Sequence, residues 1–86
     1  MFHYVYMLIS VNNLNSITYV GYSLNPIQRL KLHNEGKGAK FTKGRRWKII
    51  FRKRFNNKSN ALKFEYFLKK NIKMRNNIKK KYINEH

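Results

Sequence analysis

Two short apolar runs near the N-terminus, Phe2 to Ile9 and Ile17 to Tyr22, constrain this chain more than any other feature. Both are rich in β-branched and aromatic residues, which suit a pleated, half-buried surface, so both read as strands. Between them lies Asn12-Asn13-Leu14-Asn15-Ser16, a turn by composition. The two strands therefore form an antiparallel hairpin, and everything downstream has to pack against that ribbon.

The rest of the chain supplies the packing. Asn25-Pro26 is a helix start, because Asn caps and Pro fits a first turn where its missing N–H costs nothing. That helix should run from Pro26 to about Asn34 and stop before Glu35-Gly36, since glycine tolerates the left-handed exit. Gly36 to Arg46 is a glycine-dotted basic loop with no regular element expected. Trp47 to Phe55 alternates charge with apolar bulk and reads as a third strand. Ser59 is the expected cap of a second helix that reaches about Lys70 and contains Ala61, Leu62, Phe64, Phe67 and Leu68. A third helix, roughly Lys73 to Tyr82, places Met74, Ile78 and Tyr82 on one apolar stripe. The order β-β-α-β-α-α predicts a small α/β (α+β) sandwich, a three-stranded antiparallel sheet flanked by helices, with residues 1–86 forming one domain.

Charge narrows the partners. Twenty Lys and Arg face three Glu, for a net charge of +17 in 86 residues. A field of that sign attracts polyanions, and nucleic acid is the expected partner rather than an anionic membrane. With no cysteine, disulfides and thiolate metal sites are excluded. No apolar run approaches the ~20 residues of a membrane span, and Met1 to Ser10 alternates instead of following a signal-peptide pattern. A soluble, cytoplasmic protein is the expectation.

Few side chains could act on a phosphodiester. Metal-assisted hydrolysis needs hard oxygen ligands, and the carboxylates available are Glu35, Glu65 and Glu85. Glu35 sits at a helix exit and Glu85 is penultimate. Glu65 lies inside an amphipathic helix, on one face with Ala61, Leu62 and Leu68, where an acid is costly unless paired or coordinating. Spacing leaves two roles for it equally open, metal ligand or ion pair with Lys69. One usable carboxylate makes a single ion, not a pair, the expected metal content. Arg29 and His33 share a face of the first helix, suited to gripping phosphate and relaying a proton, though a solvated basic helix has the same spacing. Tyr4 and Tyr6 share one strand face, and Tyr19 shares one with Gly21, whose presence inside a strand marks a close approach. His3, His33 and His86 are too scattered for a histidine metal site, and phosphate-loop, dinucleotide, Ser-His-Asp and zinc patterns are missing.

Taken in order, these residues resemble the GIY-YIG nuclease superfamily along nearly the whole chain. Tyr4-Val5-Tyr6 stands where the family has Gly-Ile-Tyr, and Tyr19-Val20-Gly21 where it has Tyr-Ile-Gly. Arg29 follows at the family's spacing, His33 one helical turn later, and Glu65 on the later helix. Gly38-Ala39-Lys40 through Thr42, Trp47 and Phe64-Glu65-Tyr66 resemble its compact single-domain branch. That branch includes small stand-alone bacterial proteins and the catalytic module of a structure-specific Holliday-junction endonuclease. The chain departs from the pattern at Tyr4, which replaces the first glycine.

The resemblance implies a metal-dependent DNA endonuclease, possible roles in repair included. A non-catalytic nucleic-acid-binding module on the same scaffold is the alternative. It implies one Mg²⁺ or Mn²⁺ on Glu65, Tyr6 or Tyr19 taking the proton of the attacking water, Arg29 on the phosphate, and His33 bonded to a tyrosine or the phosphate. Arg29 and the ion should lower the pKa of whichever tyrosine serves. The family's late asparagine corresponds to Asn71, Asn76 or Asn77. Lys37, Lys40, Lys43, Arg45 and Arg46 of the basic loop form the expected rail for DNA, with RNA and a protein specificity partner as further possibilities.

Overall fold

The structure, a computed structural model, describes residues 1–12 and 15–85. Asn13 and Leu14 of the expected turn, and His86, lie outside the described residues. Three strands, β1 (His3–Asn12), β2 (Asn15–Ser23) and β3 (Lys48–Phe55), form a sheet ordered β2-β1-β3. Both neighbours run antiparallel to β1. The hairpin register runs from Tyr4 opposite Ser23 to Asn12 opposite Asn15. On the other side, Met7 faces Phe51 but Leu8 faces Ile49, so β3 carries one extra residue, a bulge that bends it locally.

β1 is central because Val5 to Ser10 are all buried, which requires cover on both faces. Alternation divides that cover. Val5, Met7 and Val20 pack with Ala61 and Leu68 beneath α2 (Lys58–Lys70), and Met74 and Ile78 of α3 (Ile72–Glu85) close the layer. Tyr6 and Leu8 point the other way and pack with Trp47, Tyr19 and Leu30, the last on α1 (Pro26–Asn34). The order β-β-α-β-α-α and the antiparallel sheet agree with the sequence expectation. No helix among the described residues is long and apolar enough to cross a membrane.

Three local readings need correction. Ser59 is not the cap of α2. Asn57 is, its side chain accepting from the Asn60 N–H at 2.8 Å, because Asn57 alone has the extended backbone that aims a side-chain oxygen at the first turn. The third helix begins earlier, since Asn71 Oδ1 accepts from the Met74 N–H at 2.9 Å, and it extends to Glu85. The basic loop contains one tight turn of 3-10 helix, Lys40–Thr42, where no element was expected. The α1 exit behaves as read, with Gly36 at φ 76°.

Candidate active site

Pairing across the hairpin assembles one face. Tyr6 lies opposite Gly21 and Leu8 opposite Tyr19, so all four share a side. A Cβ built on Gly21 would stand only 2.9 Å from Tyr6 Cε1 and closer still to Cζ and Oη. The missing side chain at Gly21 is therefore the space the phenol occupies. From α1, His33 comes down onto the same face, fully buried, and its Nε2 lies 2.9 Å from the Tyr6 hydroxyl. The Tyr19 ring is tilted against it at 5.0 Å between centroids.

The loop after α1 completes the enclosure of His33. Its Nδ1 lies 2.8 Å from Oγ1 of Thr42, itself fully buried. That hydroxyl donates to the Ala39 carbonyl at 2.9 Å and accepts from the Ala39 N–H at 3.3 Å. Gly38 lies against the ring, where an added Cβ would stand 2.8 Å from Cε1. Trp47, 3% exposed, donates its indole N–H to the Thr42 carbonyl at 2.9 Å. Asn34 clasps the backbone of Trp47 at both N–H (2.6 Å) and carbonyl (3.2 Å), closing the loop at its base.

Electrostatics ties Arg29 and Glu65 to this pair. Burial raises the Tyr6 pKa above 10.0; an Arg29 hydrogen bond and then its charge oppose that, while Tyr19 and Glu65 add to it. Burial also lowers the His33 pKa below 6.5, and the Arg29 charge pushes it the same way. Arg29 acts to lower the Tyr6 pKa, as expected of it, while burial acts more strongly the other way, because desolvating a phenolate outweighs one neighbouring cation. Tyr6, Tyr19 and His33 are thus in direct contact, and Arg29 and Glu65 lie near enough for their charges to act on the Tyr6 phenol. Arg29 also has an enclosed Nε with no hydrogen-bond partner among the described residues. Buried guanidinium donors are rarely left so, and an anion is the natural complement.

Of the two roles left open by its spacing, Glu65 makes the ion pair. Its carboxylate is 3.5 Å from Lys69 Nζ, the pair one turn along α2, yet its side chain is only 18% exposed against 51% for the lysine. Such an exposed partner contributes little, about 0.3–0.5 kcal/mol, and leaves the carboxylate available. Among the described residues no three His, Asp or Glu converge as a metal cage. A divalent ion here would have Glu65 as its protein ligand and oxygens of phosphate and water for the rest. That donor set would suit a hard cation.

The basic loop borders the site. Lys37, Lys40, Lys43 and Arg46 are exposed and Arg45 is half-buried. Arg45 and Arg46 line a hollow with Ser10, Val11 and Asn12, at the far end of β1 from Tyr6. Phe41 is 59% exposed and stacks on Tyr19 at 6.2 Å. Between them and the α2–α3 corner lies an open groove of about 290 Å³, bordered also by Lys69 and Arg75. Arg75 donates to the carbonyls of Leu68 (2.8 Å) and Lys69, and so holds that corner. Asn71 spends its side-chain oxygen on capping α3, while Asn76 and Asn77 are exposed. Sequence reasoning gave no role to Thr42, Gly38 or Phe41. Their signal was the resemblance of Gly38 to Thr42 to the compact branch, with a β-branched hydroxyl and an aromatic inside an otherwise basic, glycine-dotted loop.

The sequence profile described as the GIY-YIG catalytic domain matches residues 2–82. A UPF0213 protein of Oceanobacillus iheyensis is 43% identical over 68 residues, 78% of this chain and 76% of that protein. One of Bacillus licheniformis is 39% identical over 84 residues, 96% of this chain and 80% of that one. The solution NMR structure of a UPF0213 protein from Bacillus halodurans is 30% identical and covers 98% of this chain and 84% of its own, with a TM-score of 0.47.

Proposed function

This chain belongs to the GIY-YIG catalytic domain family, a nuclease superfamily, and from that premise we propose that it is a divalent-metal-dependent endonuclease acting on DNA. The observation that carries the reading is the enclosed, unpartnered Nε of Arg29 beside the Tyr6–His33 pair, with a half-sheltered Glu65 acting on the same phenol. A scissile phosphate would give that Nε an acceptor.

Roles follow from position. Arg29 holds the phosphate and offsets the charge that grows on its oxygens as the bond to the leaving 3′ oxygen breaks. Glu65 would hold a single Mg²⁺ or Mn²⁺, and members of this family typically use divalent metals. When bound, such an ion supplies Lewis-acid stabilisation of the phosphate and leaving oxygen. Tyr6 takes a proton from the attacking water and gives its own to His33 Nε2, 2.9 Å away. His33 is neutral and so able to receive it, because burial keeps its pKa low. Tyr19 walls the site beside His33 and opens onto the groove. Lys37, Lys40, Lys43, Arg45 and Arg46 grip the backbone on either side, without reading bases.

The Glu65–Lys69 pair favours one second reading, a module that binds nucleic acid and does not cut, its one acid merely neutralising a neighbour. The two separate in one assay. Labelled single strands, duplexes, flaps and junctions are incubated with and without Mg²⁺ or Mn²⁺, for wild type and Glu65→Ala. Metal-dependent products from wild type only, with binding kept in the variant, support the nuclease. Retarded bands with no cleavage of any substrate leave the binding module.

A further inference from the structure

His33 is held between two hydroxyls, and the direction of its hydrogen bonds follows from counting protons. Thr42 has a single hydroxyl hydrogen, and only by giving it to the Ala39 carbonyl, 2.9 Å away, can the contacts of Thr42 with Ala39, of His33 with Thr42 and of Tyr6 with His33 all be hydrogen bonds at once. Toward His33 Nδ1, 2.8 Å away, the Thr42 oxygen therefore accepts, so Nδ1 carries the ring's hydrogen. A neutral imidazole has only one, which leaves Nε2 bare and accepting from the Tyr6 hydroxyl at 2.9 Å. The bond sequence runs one way, from Tyr6 to His33 to Thr42 to Ala39.

We propose that Thr42 is a positioning residue that fixes His33 as the Nδ1–H tautomer, and that this makes Tyr6, rather than Tyr19, the phenol whose proton is handed on. The inference rests on the nuclease reading above for its catalytic consequence, and on geometry alone for the tautomer. Were the ring to carry its hydrogen on Nε2 instead, it would donate to Tyr6, and that phenol would face a group unable to take its proton. With Nδ1–H in place the transfer balances. Water loses a proton to the Tyr6 oxygen as its own oxygen bonds to phosphorus, and the Tyr6 proton moves to Nε2. The bond from phosphorus to the 3′ oxygen breaks, that oxygen takes a proton from solvent water, and the imidazolium later returns its extra proton to solvent through Tyr6, so no net proton is gained or lost by the protein. Thr42 remains an acceptor throughout, so the ring need not turn. Its seat is rigid, since Gly38 lies against one side of the ring and the Trp47 indole holds the Thr42 carbonyl at 2.9 Å.

Thr42→Val keeps the shape and removes the acceptor, whereas Thr42→Ser restores it. The wild type, labelled with ¹⁵N in histidine, should give the Nδ1–H pattern for His33, and Thr42→Val should shift the ring toward Nε2–H. With that shift, kcat for DNA cleavage should fall about tenfold to 100-fold at little change in KM, as for other groups that orient a functional histidine. Thr42→Ser should recover both the spectrum and kcat. A wild-type His33 protonated on Nε2 overturns the proposal without any variant, as does Thr42→Ser failing alongside Thr42→Val while both remain folded. A wild type that cuts nothing sinks the nuclease reading, a distinguishable result because the ring spectrum still reports the tautomer.

Discussion

Gly21 and Tyr6 occupy a single volume between them, and neither could be placed without the other. A methyl at position 21 would fall on the phenol's Cζ and Oη, and the phenol cannot slide aside while its hydroxyl is bonded to His33. Gly21→Ala should therefore cost about 1–3 kcal/mol in urea unfolding, as overpacking does. It should also lower kcat by at least about tenfold, since a reacting group displaced by a fraction of an ångström loses its geometry. Full activity with unchanged stability would mean that Tyr6 is free to move. His33 makes a second expectation at this scale. Its folded-state pKa lies below 6.5, so above that pH the ring is neutral folded or unfolded and its stabilising hydrogen bonds are intact. As pH falls below about 6.5 the unfolded chain takes up the proton first, and stability drops until the folded ring titrates too, by at most about 1.4 kcal/mol per pH unit. Urea unfolding at about pH 7.5 and pH 5.5 checks this, with a smaller loss expected for His33→Gln than for wild type. At this scale the sequence was only partly legible. Tyr6, Tyr19, Arg29, His33 and Glu65 stood out through their ordered resemblance to a family pattern, since spacing along their own elements left each a bland role as well. What Thr42 and Gly38 do depends on a loop folding back across α1, and no periodicity encodes that.

The elements themselves were easier to read, because strand alternation and helix caps are local properties. α1 matched its expected limits since Asn25 and Gly36 mark both ends chemically. Asn57 was passed over for Ser59 because both are good capping residues, and only backbone conformation chooses between them. The basic loop is the element whose order was least legible, and its order comes from contacts far apart in sequence. Asn34, the last residue of α1, makes two hydrogen bonds to the backbone of Trp47, and so ties the end of the loop to its beginning. Asn34→Ala removes both and should destabilise the fold by about 1–3 kcal/mol, because it leaves a backbone N–H and carbonyl unmatched. Amide hydrogen exchange should quicken at Thr42 and Lys43 while the hairpin amides of Tyr6 and Val20 keep their protection. Uniform quickening in both places would show that the clasp stabilises the whole fold rather than this loop.

Across the whole molecule, a net charge of +17 makes tight contact with phosphate unremarkable, so affinity alone says little about where DNA lies. The arrangement of the cations is more informative. Arg45 and Arg46 sit beside Ser10 to Asn12 at one end of β1, whereas Lys40 adjoins Phe41 and the groove beside Tyr19. A nucleic-acid strand laid along the loop would pass from the reacting groups to that far end. Arg45 and Arg46 would then contact backbone at a distance from the cut. Each phosphate contact releases counterions and adds about 0.9 to the magnitude of the slope of log K against log salt on duplex DNA. Changing both arginines to Gln should thus flatten the slope by up to about 1.8, weaken binding alike for every sequence, and raise KM while leaving kcat nearly unchanged. A fall in kcat instead would place these arginines at the chemistry. An altered base preference would mean that they reach into a groove. An unchanged slope would mean that the strand leaves the protein before reaching them and that the rail ends near Lys40 and Lys43.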